Sequence, residues 1–163
     1  MTVRTPDNAL EGTTLGVAAK RSCARQWRAF MEALATTLSE VAGDELALRI
    51  LAGVGASIAK EHPVRACSSL EDLKAAINAS LGALDWGQVD IREADKALEF
   101  VVAGYPCFEG VDAQTAFAAT LEAVLDGWLA MQATRPGLAM RLVDRGRGVY
   151  PPLVFRYERT SSI

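Results

Sequence analysis

The chain has 163 residues, half of them hydrophobic and 23% charged, with a formal charge of −3. This composition suits one domain built on a single core and excludes bulk disorder. An isoelectric point near 5.2, with no RNA- or DNA-reading motif, excludes nucleic acid as the expected partner.

The charge is unevenly spread. Residues 1–30 carry +3, residues 135–163 carry +4, and the stretch between them carries −10. Basic ends on an acidic body can pair with copies of the same chain or with an acidic partner. Solvated surface charge accounts for the same pattern without any partner. Cys23, Cys67 and Cys107 are far apart and form no metal-ligand spacing, which fits thiols in a reducing compartment. The first twenty residues contain no apolar signal region, and no stretch nears the roughly 18 apolar residues of a membrane span. The expectation is a cytoplasmic protein with no membrane insertion.

Residues 1–22 show no hydrophobic period and read as a flexible arm, with one domain over residues 23–163. Trp27, Phe30, Met31, Leu34, Leu38 and Val41 then recur at spacings of three and four, one apolar stripe on a first helix. Gly43 ends it and Asp44 is placed to cap a second helix with the stripe Ala47, Leu51, Val54 and Ile58. Gly53, Gly55 and Ala56 let that helix approach a neighbour closely, at about 1 kcal/mol of helix propensity per glycine. His62-Pro63 stops it, because the residue before proline avoids the α region. Ser68 and Glu71 have capping-box spacing for a third helix striped by Leu70, Leu73, Ile77, Leu81 and Leu84.

At Trp86-Gly87 the period changes from 3.6 to 2. Val89 and Ile91 alternate with polar residues, as do Leu98, Phe100 and Val102, which predicts a hairpin turning around residues 93–96. After Pro106 and Gly110, with Asp112 as the expected cap, comes the most regular helix, striped by Phe117, Leu121, Val124, Trp128 and Met131. Two strands, around residues 140–145 and 153–159, follow the break at Arg135-Pro136-Gly137. The order predicts an α+β fold: N-terminal helices, an antiparallel hairpin, a long helix and a second hairpin.

Catalytic chemistry is sparse. His62 is the one histidine, with no pattern around it that suggests a triad or a zinc site. The run Gly53-Val54-Gly55-Ala56-Ser57 imitates a dinucleotide fingerprint, but it sits inside a helix with no preceding strand, so packing explains it. Glu122 and Asp126 lie four apart on a polar helix face and are expected to meet basic groups of a neighbour. Arg145, Arg147 and their glycines form either an anion cradle or a solvated hairpin tip. No phosphate loop, metal cluster or activated nucleophile is present, so the residues favour a non-enzymatic role with no cofactor.

Three stretches carry a resemblance: FMEALATTLSEVAGDELALRILAGVGASIA (Phe30–Ala59), LKAAINASLGALDWGQVDI (Leu73–Ile91) and LEAVLDGWLAMQATRPG (Leu121–Gly137). In order and spacing they resemble the cellulose synthase operon protein D family over roughly residues 25–160. The resemblance implies a cytoplasmic accessory subunit of bacterial cellulose synthesis, a homo-octamer assembled as a tetramer of dimers into a ring. It implies nascent glucan chains, the cellulose synthase complex and a Pro-rich companion protein as partners. The N-terminal segment of the family would line the glucan passages, which makes Arg21, Arg25, Trp27 and Arg28 the glucan-contact candidates. An aromatic face stacks on a sugar ring and guanidinium groups donate to hydroxyls. Trp27 is also a candidate first core residue of its helix, the reading its place at the head of the stripe favours. The rival class is a small-ligand sensor domain, in a haem version with His62 on the iron.

Overall fold

Residues 24–132, 136–146 and 150–160 are described by the computed structural model. The arm (residues 1–22), with Arg21, lies outside these residues, as does Arg147. Three helices come first: α1 (Arg25–Ala42), α2 (Asp44–Glu61) and α3 (Leu70–Ala83). They are followed by β1 (Gln88–Ala94), β2 (Ala97–Ala103), α4 (Val111–Ala130), β3 (Leu138–Asp144) and β4 (Leu153–Arg159). The strands form one antiparallel sheet in the order β1-β2-β4-β3, so the fold is α+β as predicted.

The alternation in the strands is answered by burial. Val89 and Ile91 of β1, Phe100 and Val102 of β2, and Leu153, Phe155 and Tyr157 of β4 all point into one core. The turn between β1 and β2 has two residues, Asp95 and Lys96, and Asp95 takes φ 51°, a conformation that short polar side chains tolerate. Over the same sheet face lie Leu73, Ile77 and Leu81 of α3 and Leu121, Val124, Leu125 and Trp128 of α4. The Trp128 indole is fully buried, and its Nε1–H donates to the His62 carbonyl at 2.8 Å, so the end of α2 is tied to the last turn of α4.

The helix starts differ in detail from expectation. Ser69, not Ser68, caps α3, its hydroxyl accepting from the Asp72 amide at 3.1 Å. The Asp72 carboxylate in turn accepts from the Ser68 amide and pairs with Arg65, so the capping box is displaced by one residue. Gly43 at φ 75° caps α2, with Asp44 inside the first turn. Gly110 precedes α4, and Asp112 lies in its first turn, where its charge favours the helix dipole.

The glycine-rich run is a packing device at Gly55. A Cβ there would sit 2.3 Å from the Thr120 carbonyl oxygen, while one at Gly127 would sit 2.7 Å from the Ala59 Cβ. The two helices therefore cross where each has lost a side chain. Gly53 faces open space and has no such role. Gly87, at φ 91° with its notional Cβ 2.2 Å from the Ala103 oxygen, fits only as glycine. Beside it Trp86 is half-buried, edge-on to Phe117 at 5.2 Å. Trp86-Gly87 is thus a core anchor with a tight turn into β1.

Both sheet edges are covered in part by side chains. On β1, Asn78 donates to the Val89 carbonyl at 2.9 Å and accepts from the Val89 amide at 2.7 Å. On β3, Asp126 accepts from the Met140 amide at 2.8 Å and Glu122 from the Leu142 amide at 2.6 Å. The two carboxylates expected to reach a neighbour's basic groups instead bind backbone within the chain.

Candidate interaction face on the helical hairpin

The first helix is where sequence and burial part company. Its stripe has the spacing of a core helix, yet only Ala35 is buried. Trp27 is 58% exposed, Phe30 53% and Val41 82%. What holds α1 to the domain is a small satellite core of Ala35, Leu51, Ala113 and Ala116, with Leu38 and Phe108 against it. Polar contacts add to it, among them the Glu109 amide, which donates to Glu32 at 2.9 Å. The expectation that Trp27 opens the core of its helix is corrected: the indole lies outside both cores and stacks on Phe30, ring centroids 5.3 Å apart and planes 15° from parallel. Met131, at the far end of the α4 stripe, is also partly exposed because the helix stops there.

A groove of about 430 Å³ runs beneath the Trp27–Phe30 pair. Met31 and Leu34 of α1 form one wall, Val54 and Ile58 of α2 the second, and Trp86 and Phe108 the floor on the domain side. Exposed Leu46, Ile50 and Val54 follow one another at intervals of four along α2, so a second apolar stripe runs into the same groove. Trp86 and Phe108 could not be assigned to this face from sequence, because only the fold brings residues 86 and 108 beside residue 27. The aromatic and proline content of Tyr105-Pro106-Cys107-Phe108 was the one local hint.

Arg25 and Arg28 flank Trp27, so three of the four glucan-contact candidates share the first turn of the helix; Arg21 lies outside the described residues. Their placement runs against the helix dipole. The first turn of α1 has no acidic residue, its last turn has no basic one, and Glu40 lies near its C-terminal end. Basic charge at the positive end and acidic charge at the negative end each disfavour an isolated helix.

The other candidates resolve into structural roles. His62 is exposed at the C-cap of α2 and contributes its carbonyl, as described above. Arg145 donates to the Thr115 hydroxyl at 2.8 Å, tying β3 to α4 in a groove of about 660 Å³ that Glu122 and Asp126 also line. Burial pushes the Glu122 carboxyl above its ordinary range, and the nearby Asp126 charge adds to this, while the Leu142 amide opposes it. Tyr105, whose hydroxyl donates to the Pro151 carbonyl at 2.7 Å, is pushed up to about 12 by burial. Among the described residues no group of three or more His, Cys, Asp or Glu is placed to hold a metal ion. None of the described helices is long and apolar enough to cross a membrane.

These features define a class: a small α+β protein whose most conspicuous surface is an apolar helical hairpin rather than a cleft with reactive groups. The family model for the D-type subunit of cellulose synthase matches residues 13–154, and the chain belongs to that family, with a role in cellulose biosynthesis. No curated protein matches the chain.

Proposed function

We propose that the chain is a non-catalytic accessory subunit that assembles in the cytoplasm into a homo-oligomeric ring, an octamer of four dimers. The ring aids export, alignment and crystallisation of nascent glucan chains beside the synthase complex and a Pro-rich companion protein. The observation that carries this reading is the apolar stripe of α1, left exposed at Trp27, Phe30 and Val41 although its spacing is that of a buried helix. A monomer gains nothing from such a stripe; an assembly does.

In this reading Arg21, Arg25, Trp27 and Arg28 contact glucan, the indole stacking on a sugar face and the guanidinium groups donating to hydroxyls. The stacked, half-exposed Trp27–Phe30 pair supports it as an aromatic platform. Residues 1–22 are proposed as an arm separable from the fold.

Absolute mass by light scattering coupled to size exclusion is expected to give about eight subunits. A stable monomer at micromolar concentration overturns the scaffold reading. Deleting residues 1–22, or combining Trp27→Ala with Arg25→Ala, is expected to leave folding intact and lower cellulose yield or crystallinity in cells. Normal cellulose from either variant would withdraw the glucan contact while leaving the scaffold in place.

A further inference from the structure

We infer that the exposed face of α1 is covered by α1 of a second copy, packed antiparallel across a two-fold axis. The inference rests on the self-assembly reading and names the surface through which it acts. Three observations converge on it. The apolar stripe is exposed at both ends of the helix, at Trp27 and Phe30 near the N-terminus and at Val41 near the C-terminus. The groove under Trp27 and Phe30 is apolar and unfilled by the described core, while the corner between α1 and α2 projects apolar side chains, Val41 and Leu46. The charges of α1 are also arranged against its own dipole, with Arg25 and Arg28 at the positive end and Glu40 at the negative end.

An antiparallel pair answers all three at once. The N-terminal end of each helix, with its arginines, lies beside the C-terminal end of the other, with Glu40 and the neighbouring Asp44 and Glu45. Side-chain charges and helix dipoles, both unfavourable within one copy, become mutually favourable between two. A parallel pair would instead put arginines against arginines. The corner carrying Val41 and Leu46 meets the groove of the partner, and the contact is reciprocal, as a two-fold interface requires. Asp85 is the one acidic residue lining the groove, and its charge works against the fit. Trp27 then lies at the seam between two copies, so a sugar stacked there is held by a site that one chain does not complete alone.

Charge reversal on the full chain tests the pairing, read as oligomeric mass over a dilution series at low salt. Arg25→Glu and Glu40→Lys are each expected to raise the concentration at which the assembly dissociates by about tenfold, with helical content unchanged. The double variant is expected to return to the original midpoint, as is an equimolar mixture of the two single variants. The mixture is diagnostic because only an antiparallel contact places residue 25 of one copy against residue 40 of another. If both single reversals leave the mass unchanged, or the double variant and the mixture fail to recover it, the pairing is overturned. Silent reversals together with loss of assembly on deleting residues 1–22 would give the groove to the arm instead. A monomeric original chain would remove the scaffold reading itself, so the two failures are distinguishable.

Discussion

The α4–sheet half and the α1–α2 hairpin have equally regular hydrophobic periods and opposite fates. In α4 the stripe residues Phe117, Leu121, Val124 and Trp128 are all buried, each against a strand or helix of the same chain. In α1 the stripe is as well spaced, but the described residues supply too little to cover it, and one residue of eighteen is buried. Periodicity therefore reports that a face is meant to be covered. It does not report whether the cover lies in the same molecule.

Substitutions sharpen that contrast, and the largest effect belongs to the closed half. Trp128→Ala is expected to lower stability by about 3–5 kcal/mol, because it opens a cavity at a fully buried site and leaves the His62 carbonyl without its donor. Thermal or urea unfolding measures it, and an unchanged midpoint would mean that α4 is not the core helix.

Next comes the crossing of α2 and α4. Gly55→Ala gains helix propensity but drives a methyl group into the Thr120 carbonyl, a backbone atom that cannot step aside. The expected net loss is about 1–3 kcal/mol. Gly53→Ala, on open space two residues away, is expected to be stabilising by up to about 1 kcal/mol. If the two glycines respond alike, the helices do not cross at Gly55.

A comparable effect separates charge from hydrogen bonding at the β3 edge. Glu122→Ala leaves the Leu142 amide unsatisfied and is expected to cost about 1–3 kcal/mol, whereas Glu122→Gln keeps an acceptor and is expected to cost little. Burial raises the carboxyl above its unfolded value, so the folded state holds the proton longer. The original chain should therefore lose stability relative to Glu122→Gln as pH rises through the window just above the ordinary glutamate range. Parallel pH curves for the two proteins would show that burial does not govern this carboxyl.

The smallest effect lies on the open half. Val41→Ser is expected to change unfolding of the separated chain by no more than about 0.5 kcal/mol, since the side chain is 82% exposed. A large loss would mean that α1 is covered within one chain.

Much of this architecture was legible in advance. Period-2 alternation marked Val89, Ile91, Phe100 and Val102, and spacings of three and four marked every helix, because these patterns depend only on local geometry. Helix starts were less legible. Ser68 and Ser69 are both competent caps, and the choice fell to the Arg65–Asp72 pairing, which sequence does not reveal. The roles of Glu122 and Asp126 were invisible, since their acceptors bind amides of a strand that is near only after folding. Trp27 was readable as core or as surface, and only the shortage of partners for α1 among the described residues decides it.

The side chains that close the two sheet borders have a consequence for how copies of this protein can grow together. A strand offering free amides templates the addition of further strands without limit, one chain after another. Asn78 occupies the Val89 groups on one border, and Glu122 and Asp126 occupy the Met140 and Leu142 amides on the other. Open-ended stacking through the sheet is thereby obstructed on both sides. In the proposed assembly, association then falls to helical surfaces, where side-chain shape and charge fix the partner and a closed, finite particle can result.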